Sequence, residues 1–111
     1  MISSDMKMYM EGTNMNLEQF YLLKLAEECE EVAQRALKAM QYGFDESEPN
    51  QSLTNKQRLH SELNDLHAAI EMLNNKSNLL YYPDFLVIEQ KKIKVEKYLK
   101  YSQKLGQVDV I

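Results

Sequence analysis

One cysteine, two prolines and three glycines are all that this 111-residue chain carries of the residues that staple, break or sharply turn a backbone. The lone Cys29 excludes an intramolecular disulfide framework and a zinc site built from cysteines. Scarce Gly and Pro, beside abundant Met, Leu, Glu and Lys, point to an all-α chain. No apolar run approaches the roughly 18 residues that would cross a bilayer. The first residues, MISSDMKMYMEG, lack the basic leader and apolar stretch of a secretory signal. The expected setting is therefore cytoplasmic, with no membrane partner. Basic charge is also short. A formal net charge of −4 argues against nucleic acid as a stable partner, because that needs a basic surface. There is no glycine-rich phosphate loop and no serine nucleophile elbow, so phosphate chemistry here must rely on metal.

What is present is enough for one domain with a modest core. Residues 1–15 are polar and Met-rich and read as an N-terminal tail, residues 16–106 as a single helical domain, and 107–111 as a C-terminal tail. Asn16 with Gln19 forms a capping-box pattern that starts a first helix, about 17–42, which Gly43 stops. The loop GFDESEPNQSL follows. Thr54 with Gln57 repeats the pattern and opens a second helix, about 54–74, ended by NNKSN. Asp84 caps a third, about 84–104, with Gly106 beyond its end.

At about 100° per residue the helical faces can be laid out. On helix one, Leu22, Leu25, Cys29, Val32, Ala33, Ala36 and Met40 form a broad apolar stripe, which makes Cys29 an expected inert core thiol. Glu27, Glu28 and Glu31 lie together on another side. A solvated polar face accounts for them as well as a site does. Against solvation, like charges three and four residues apart repel, and the same arc carries Leu17, Phe20 and Leu23, which call for an apolar cover. Helix two is more specific. Leu59, Leu63, Leu66, Ile70 and Leu73 make its stripe, with Glu62 inside that stripe and Asp65 at its edge. A carboxylate directed into a core needs a raised pKa or a cation. A hard divalent metal is one compensator; a salt bridge to Arg58 or Arg35 is the competing one. His60 and His67, two turns apart and away from that stripe, read as surface residues.

Helix three carries Ile88, Val95 and Leu99 on one stripe, flanked by Lys91, Lys94 and Tyr98. Those two lysines are placed to reach a metal-held polyphosphate, with Tyr98 packing beside it; a solvated Lys-rich face is the plainer reading.

Taken together, KLAEECEEV, with Glu28 and Glu31, and RLHSELNDLHAAIEML, with Glu62 and Asp65, resemble the E-x-x-E and E-x-x-D pairs of the MazG-like all-α nucleoside triphosphate pyrophosphohydrolases. KVEKYLKYSQKLG is similar to the third helix of small, including phage-type, members. The resemblance covers roughly residues 17–106. It departs at Glu30, where the family often has a small residue, and in a longer loop between the pairs. It implies Mg²⁺, with Mn²⁺ able to substitute, held by Glu28, Glu31, Glu62 and Asp65. It further implies cleavage of a (deoxy)nucleotide substrate between its α- and β-phosphates to monophosphate and pyrophosphate. Glu27 or Glu31 would take the proton from water. The family assembles as homodimers or homotetramers, which suits helices that are apolar on more than one side. A non-catalytic helical self-association module is the alternative reading.

Overall fold

The computed structural model describes residues 14–111. Among these residues the chain is all-helical, without a strand: α1 is Leu17–Tyr42, α2 is Asn55–Lys76 and α3 is Phe85–Lys104. The expected N-terminal tail lies outside the described residues except for Asn14 and Met15. Two compact units divide the chain, one ending at Tyr81 and holding α1 and α2, the other running from Tyr82 to Ile111 and holding α3. None of the described helices is long and apolar enough to cross a membrane.

The helix starts are set by side chains that satisfy otherwise orphaned backbone donors. Asn16 Oδ1 accepts from Gln19 N at 2.8 Å while Asn16 N donates to Gln19 Oε1 at 3.0 Å. Thr54 and Gln57 reproduce this box at 3.2 and 2.9 Å, and Asp84 Oδ1 accepts from Val87 N at 3.2 Å. Each cap is worth about 1 kcal/mol. The ends follow the same logic. Gly106 has φ +78°, and the bonds from Gly106 N to Gln103 O and from Gln107 N to Ser102 O close a Schellman turn on α3. Helix α2 runs two residues beyond its expected end, because Ser77 returns both its N–H and its hydroxyl to Leu73 O, at 2.9 and 2.7 Å.

Helices α1 and α2 pack antiparallel. Phe20 and Tyr21 near the start of α1 share a groove with Met72 near the end of α2, whereas Gly43, just past α1, accepts from Asn55 Nδ2 at 2.9 Å. On α2 the expected stripe does face α1. Leu73 is fully buried and Ala69 nearly so, and Leu59, Leu66 and Ile70 are half-buried, though Leu63 is exposed. The expectation for α1 needs correction. Of its stripe only Leu25 and Val32, at the margin, are half-buried; Leu22, Cys29, Ala33, Ala36 and Met40 are exposed, Met40 at 76%. Cys29 is an exposed thiol, not a core one. The reason is that α2 lies against the neighbouring face, the one bearing Glu28, Glu31 and Arg35. Periodicity groups residues on a face but does not say which face is covered.

In the second unit, Ile88, Val95 and Leu99 are exposed on α3, as are Lys91, Lys94 and Tyr98.

Candidate functional site

Three layers of side chains stack along the α1–α2 interface. At the α1 N-terminal end lies an open groove of about 320 Å³, walled by Phe20, Tyr21, Lys24 and Met72 and floored toward Glu28 and Asp65. Phe20 and Tyr21 meet edge to face with ring centroids 5.5 Å apart, and Lys24 Nζ stands 5.4 Å from the Phe20 centroid. The volume is at the lower limit for a small-molecule site, and its lining combines aromatic and aliphatic side chains with two carboxylates and one amine. Of the expected apolar arc here, Leu23 is half-buried, while Leu17 and Phe20 remain exposed beside the groove.

The second layer is acidic. Glu28, Glu62 and Asp65 each offer a carboxylate oxygen, and the three lie within 4.8 Å of one another. Helical spacing produces this convergence: Glu62 and Asp65 are three apart on one side of α2, and antiparallel packing brings Glu28 of α1 to them. Glu28 and Glu62 are half-buried and Asp65 is exposed. Burial first, then the charges of Asp65, Glu62, Glu31 and Glu27, push the Glu28 carboxyl above its ordinary value. The Glu62 carboxyl is raised by burial first and then by Glu31 and Asp65, with Arg35 and Arg58 acting in the opposite direction. Carboxylates so close, partly desolvated and mutually repelling, are what a hard divalent cation with oxygen ligands would relieve. The donor set fits such an ion. Glu31 stands outside the triad, with its charge bearing on both Glu28 and Glu62. Glu27 is engaged by Lys24, whose Nζ lies 3.2 Å from its Oε2. Glu30 is half-buried, its Oε2 enclosed without a hydrogen-bond partner.

A third layer was not legible in the helical pattern. One turn beyond Glu31 on α1 is Arg35, and one turn before Glu62 on α2 is Arg58. Glu48 of the 43–54 loop reaches both, its Oε1 3.7 Å from Arg35 Nη1 and 3.5 Å from Arg58 Nη1. The ion pairs of both arginines thus run to Glu48 and not to Glu62, so the salt-bridge account of Glu62 is not what the geometry shows. Asn55, 1% exposed, anchors this loop by donating to Gly43 O and to Glu46 Oε1 at 2.8 Å. An Asn at the first helical position, after a cap already recognisable at Thr54, was the available signal.

The expected surface histidines, His60 and His67, are exposed on α2. Lys91, Lys94 and Tyr98 lie on α3 in the other unit. No family model, curated protein or solved structure matches this chain.

Proposed function

We propose that the chain is a divalent-metal-dependent nucleotide pyrophosphohydrolase, with Mg²⁺ the expected ion and Mn²⁺ a substitute. The observation that carries this reading is the convergence of Glu28, Glu62 and Asp65 from two helices, with Glu28 and Asp65 also lining the aromatic groove. Glu28, Glu62 and Asp65 would hold the ion, with Glu31 as the fourth carboxylate of the set. When bound, the ion neutralises polyphosphate charge and makes its bound water more acidic. The chain's own residues supply the rest. Phe20, Tyr21 and Met72 give a nucleoside an apolar and stacking surface, while Lys24 at the rim offers a cation to the phosphates. Glu31 and Glu27 are the carboxylates within reach of the acidic layer to accept a proton from attacking water, and Lys24 orients Glu27.

A second reading has its own observation. Leu22, Ala33, Ala36, Leu37 and Met40 expose an apolar face on α1, as a helical self-association module would. On the hydrolase reading this same face joins two copies into the homodimer, or a pair of dimers. The two readings part at the acids. Pyrophosphate should be released from a panel of nucleoside triphosphates with Mg²⁺ and be lost in Glu62→Gln. Absence of release from every nucleotide, with self-association intact, would leave the module reading standing alone.

A further inference from the structure

Among the described residues, the guanidinium layer is poorly matched to the Glu48 carboxylate that occupies it. Nη1 of Arg35 and Nη1 of Arg58 are both buried with no hydrogen-bond acceptor. Glu48 gives them one shared oxygen, 3.7 Å from Arg35 Nη1 and 3.5 Å from Arg58 Nη1. A charge-assisted N–H···O⁻ bond is shorter, about 2.7–2.9 Å, so each Nη1 has charge compensation without a formed bond. Two forked guanidiniums converging from facing helices suit a group with several oxygens and more than one negative charge. Phosphate is such a group.

Position gives the same answer. Four residues separate Glu31 from Arg35, and four separate Arg58 from Glu62. In an antiparallel pair both steps lead away from the aromatic groove, by about 6 Å of helical rise. The order along the interface is therefore aromatic groove, carboxylates, guanidiniums. A nucleotide whose nucleoside lies in the groove and whose first phosphates lie at the carboxylates would extend its remaining phosphates to the arginines.

The occupant comes from the connecting loop. Glu48 belongs to neither helix. It lies in a loop whose ends are fixed by Asn55 and the Thr54 cap, and its own turn is closed by Gln51 N donating to Glu48 O at 3.0 Å. Asn50 within that turn has φ +67°. The hydrogen bonds that hold this loop run to Gly43 O, Phe44 O, Glu46 and the Glu48 backbone oxygen, so exchange of the Glu48 carboxylate for another anion leaves the Thr54 cap and these bonds in place.

We propose that Arg35 and Arg58 form a binding subsite for the distal phosphates of the substrate, and that Glu48 fills it in the free protein as an internal anion that phosphate displaces. The assignment of the anion as a substrate tail rests on the pyrophosphohydrolase reading. The subsite itself does not need metal, which makes it separately testable. Inorganic pyrophosphate is titrated calorimetrically into the full chain in EDTA, with circular dichroism to follow the fold. Relative to wild type, Glu48→Gln should bind pyrophosphate about tenfold more tightly, and Arg58→Met and Arg35→Met about tenfold more weakly. Arg58→Lys, which keeps the charge but not the fork, should fall between and serves if a Met variant does not fold. Affinity unchanged across the set, weaker binding in Glu48→Gln, or no binding to either wild type or Glu48→Gln would overturn the proposal. Glu62-dependent turnover with Mg²⁺ alongside an unchanged affinity series sinks the subsite alone. The expected affinity series without turnover of any nucleotide sinks the hydrolase reading alone.

Discussion

The two faces of α1 have exchanged the roles that their composition suggests. The face bearing Lys24, Glu28, Glu31 and Arg35 lies against α2, while the face bearing Leu22, Cys29, Ala33, Ala36 and Met40 is exposed. An ordinary amphipathic helix of a self-sufficient domain does the reverse. Both choices carry a cost: carboxylates gathered under partial burial repel and lose hydration, and aliphatic side chains left in water forgo about 25 cal/mol per Å². A two-helix unit whose buried apolar residues, among those described, are Ala69 and Leu73 has little apolar burial to offset them. On the proposed reading the covered polar face takes a cation and nucleotide, and the exposed apolar face a second copy of the chain.

Breaking the polar face should have the largest effect. On the proposed reading, Glu62→Gln removes a charged ligand from the centre of the acidic layer and lowers Mg²⁺-dependent pyrophosphate release by about a thousandfold, roughly 4 kcal/mol. Turnover equal to wild type would mean that the convergence of Glu28, Glu62 and Asp65 has no catalytic role. Charging the apolar face should act differently. Ala33→Glu with Met40→Lys touches none of the three carboxylates, yet should weaken self-association by about a hundredfold, near 3 kcal/mol. Sedimentation velocity across a concentration series reads this directly. A wild-type protein that sediments as a monomer at high concentration would show that a second copy does not cover this face.

The contrast between the faces also marks how far the sequence could be read. Helix positions were legible because caps are local: Asn16 with Gln19 and Thr54 with Gln57 place their own donors and acceptors. Glu62 was legible because a carboxylate inside a run of Leu and Ile on one face is a conflict that only tertiary structure resolves. The facing of α1 was not legible, since both of its sides carry enough apolar residues to pass for an interface and periodicity alone does not choose between them. Cys29 was misplaced for that reason. Nor was the guanidinium layer legible. In the sequence Arg35 and Arg58 stand out only as salt-bridge partners for Glu62, and Glu48 sits in a loop without periodicity, so nothing in its neighbours announces that it closes on two arginines 13 residues behind and ten ahead.

Adding the cation sharpens the comparison more gently than removing a ligand. Mg²⁺ at about a hundred times its dissociation constant should stabilise the folded chain by about 2.7 kcal/mol through mass action. For a chain of this size that raises Tm by roughly 10 °C or more. A Glu62→Gln, Asp65→Asn double variant should show no such rise, whereas the Ala33→Glu, Met40→Lys variant should keep it. A wild-type Tm indifferent to Mg²⁺ and to Mn²⁺ would remove the cation from the account of the polar face.

The smallest expected effect is the most diagnostic of why that face is costly. The Glu28 carboxyl is raised above its ordinary 4.5, chiefly by burial and then by its acidic neighbours. A carboxyl with a higher pKa in the folded chain than in the unfolded one favours folding when protonated. Its contribution is full below the unfolded value and is lost as pH rises through the raised folded value. At pH 7 in EDTA, then, Glu28 opposes folding, and Glu28→Gln should be the more stable protein by about 0.5–1 kcal/mol, the sum of a few like-charge repulsions. Toward pH 4 the difference should narrow, because the folded wild-type carboxyl takes up its proton before the unfolded one does. Saturating Mg²⁺ at pH 7 should reverse the order, since the variant loses a ligand while the wild type gains a cation at the point of repulsion. Urea melts of both proteins at the two pH values, with and without Mg²⁺, measure all of these differences. If Glu28→Gln is instead the less stable protein in EDTA at pH 7, the acidic layer is an ordinary network of satisfied surface charge, and the inversion of the α1 faces needs another cause.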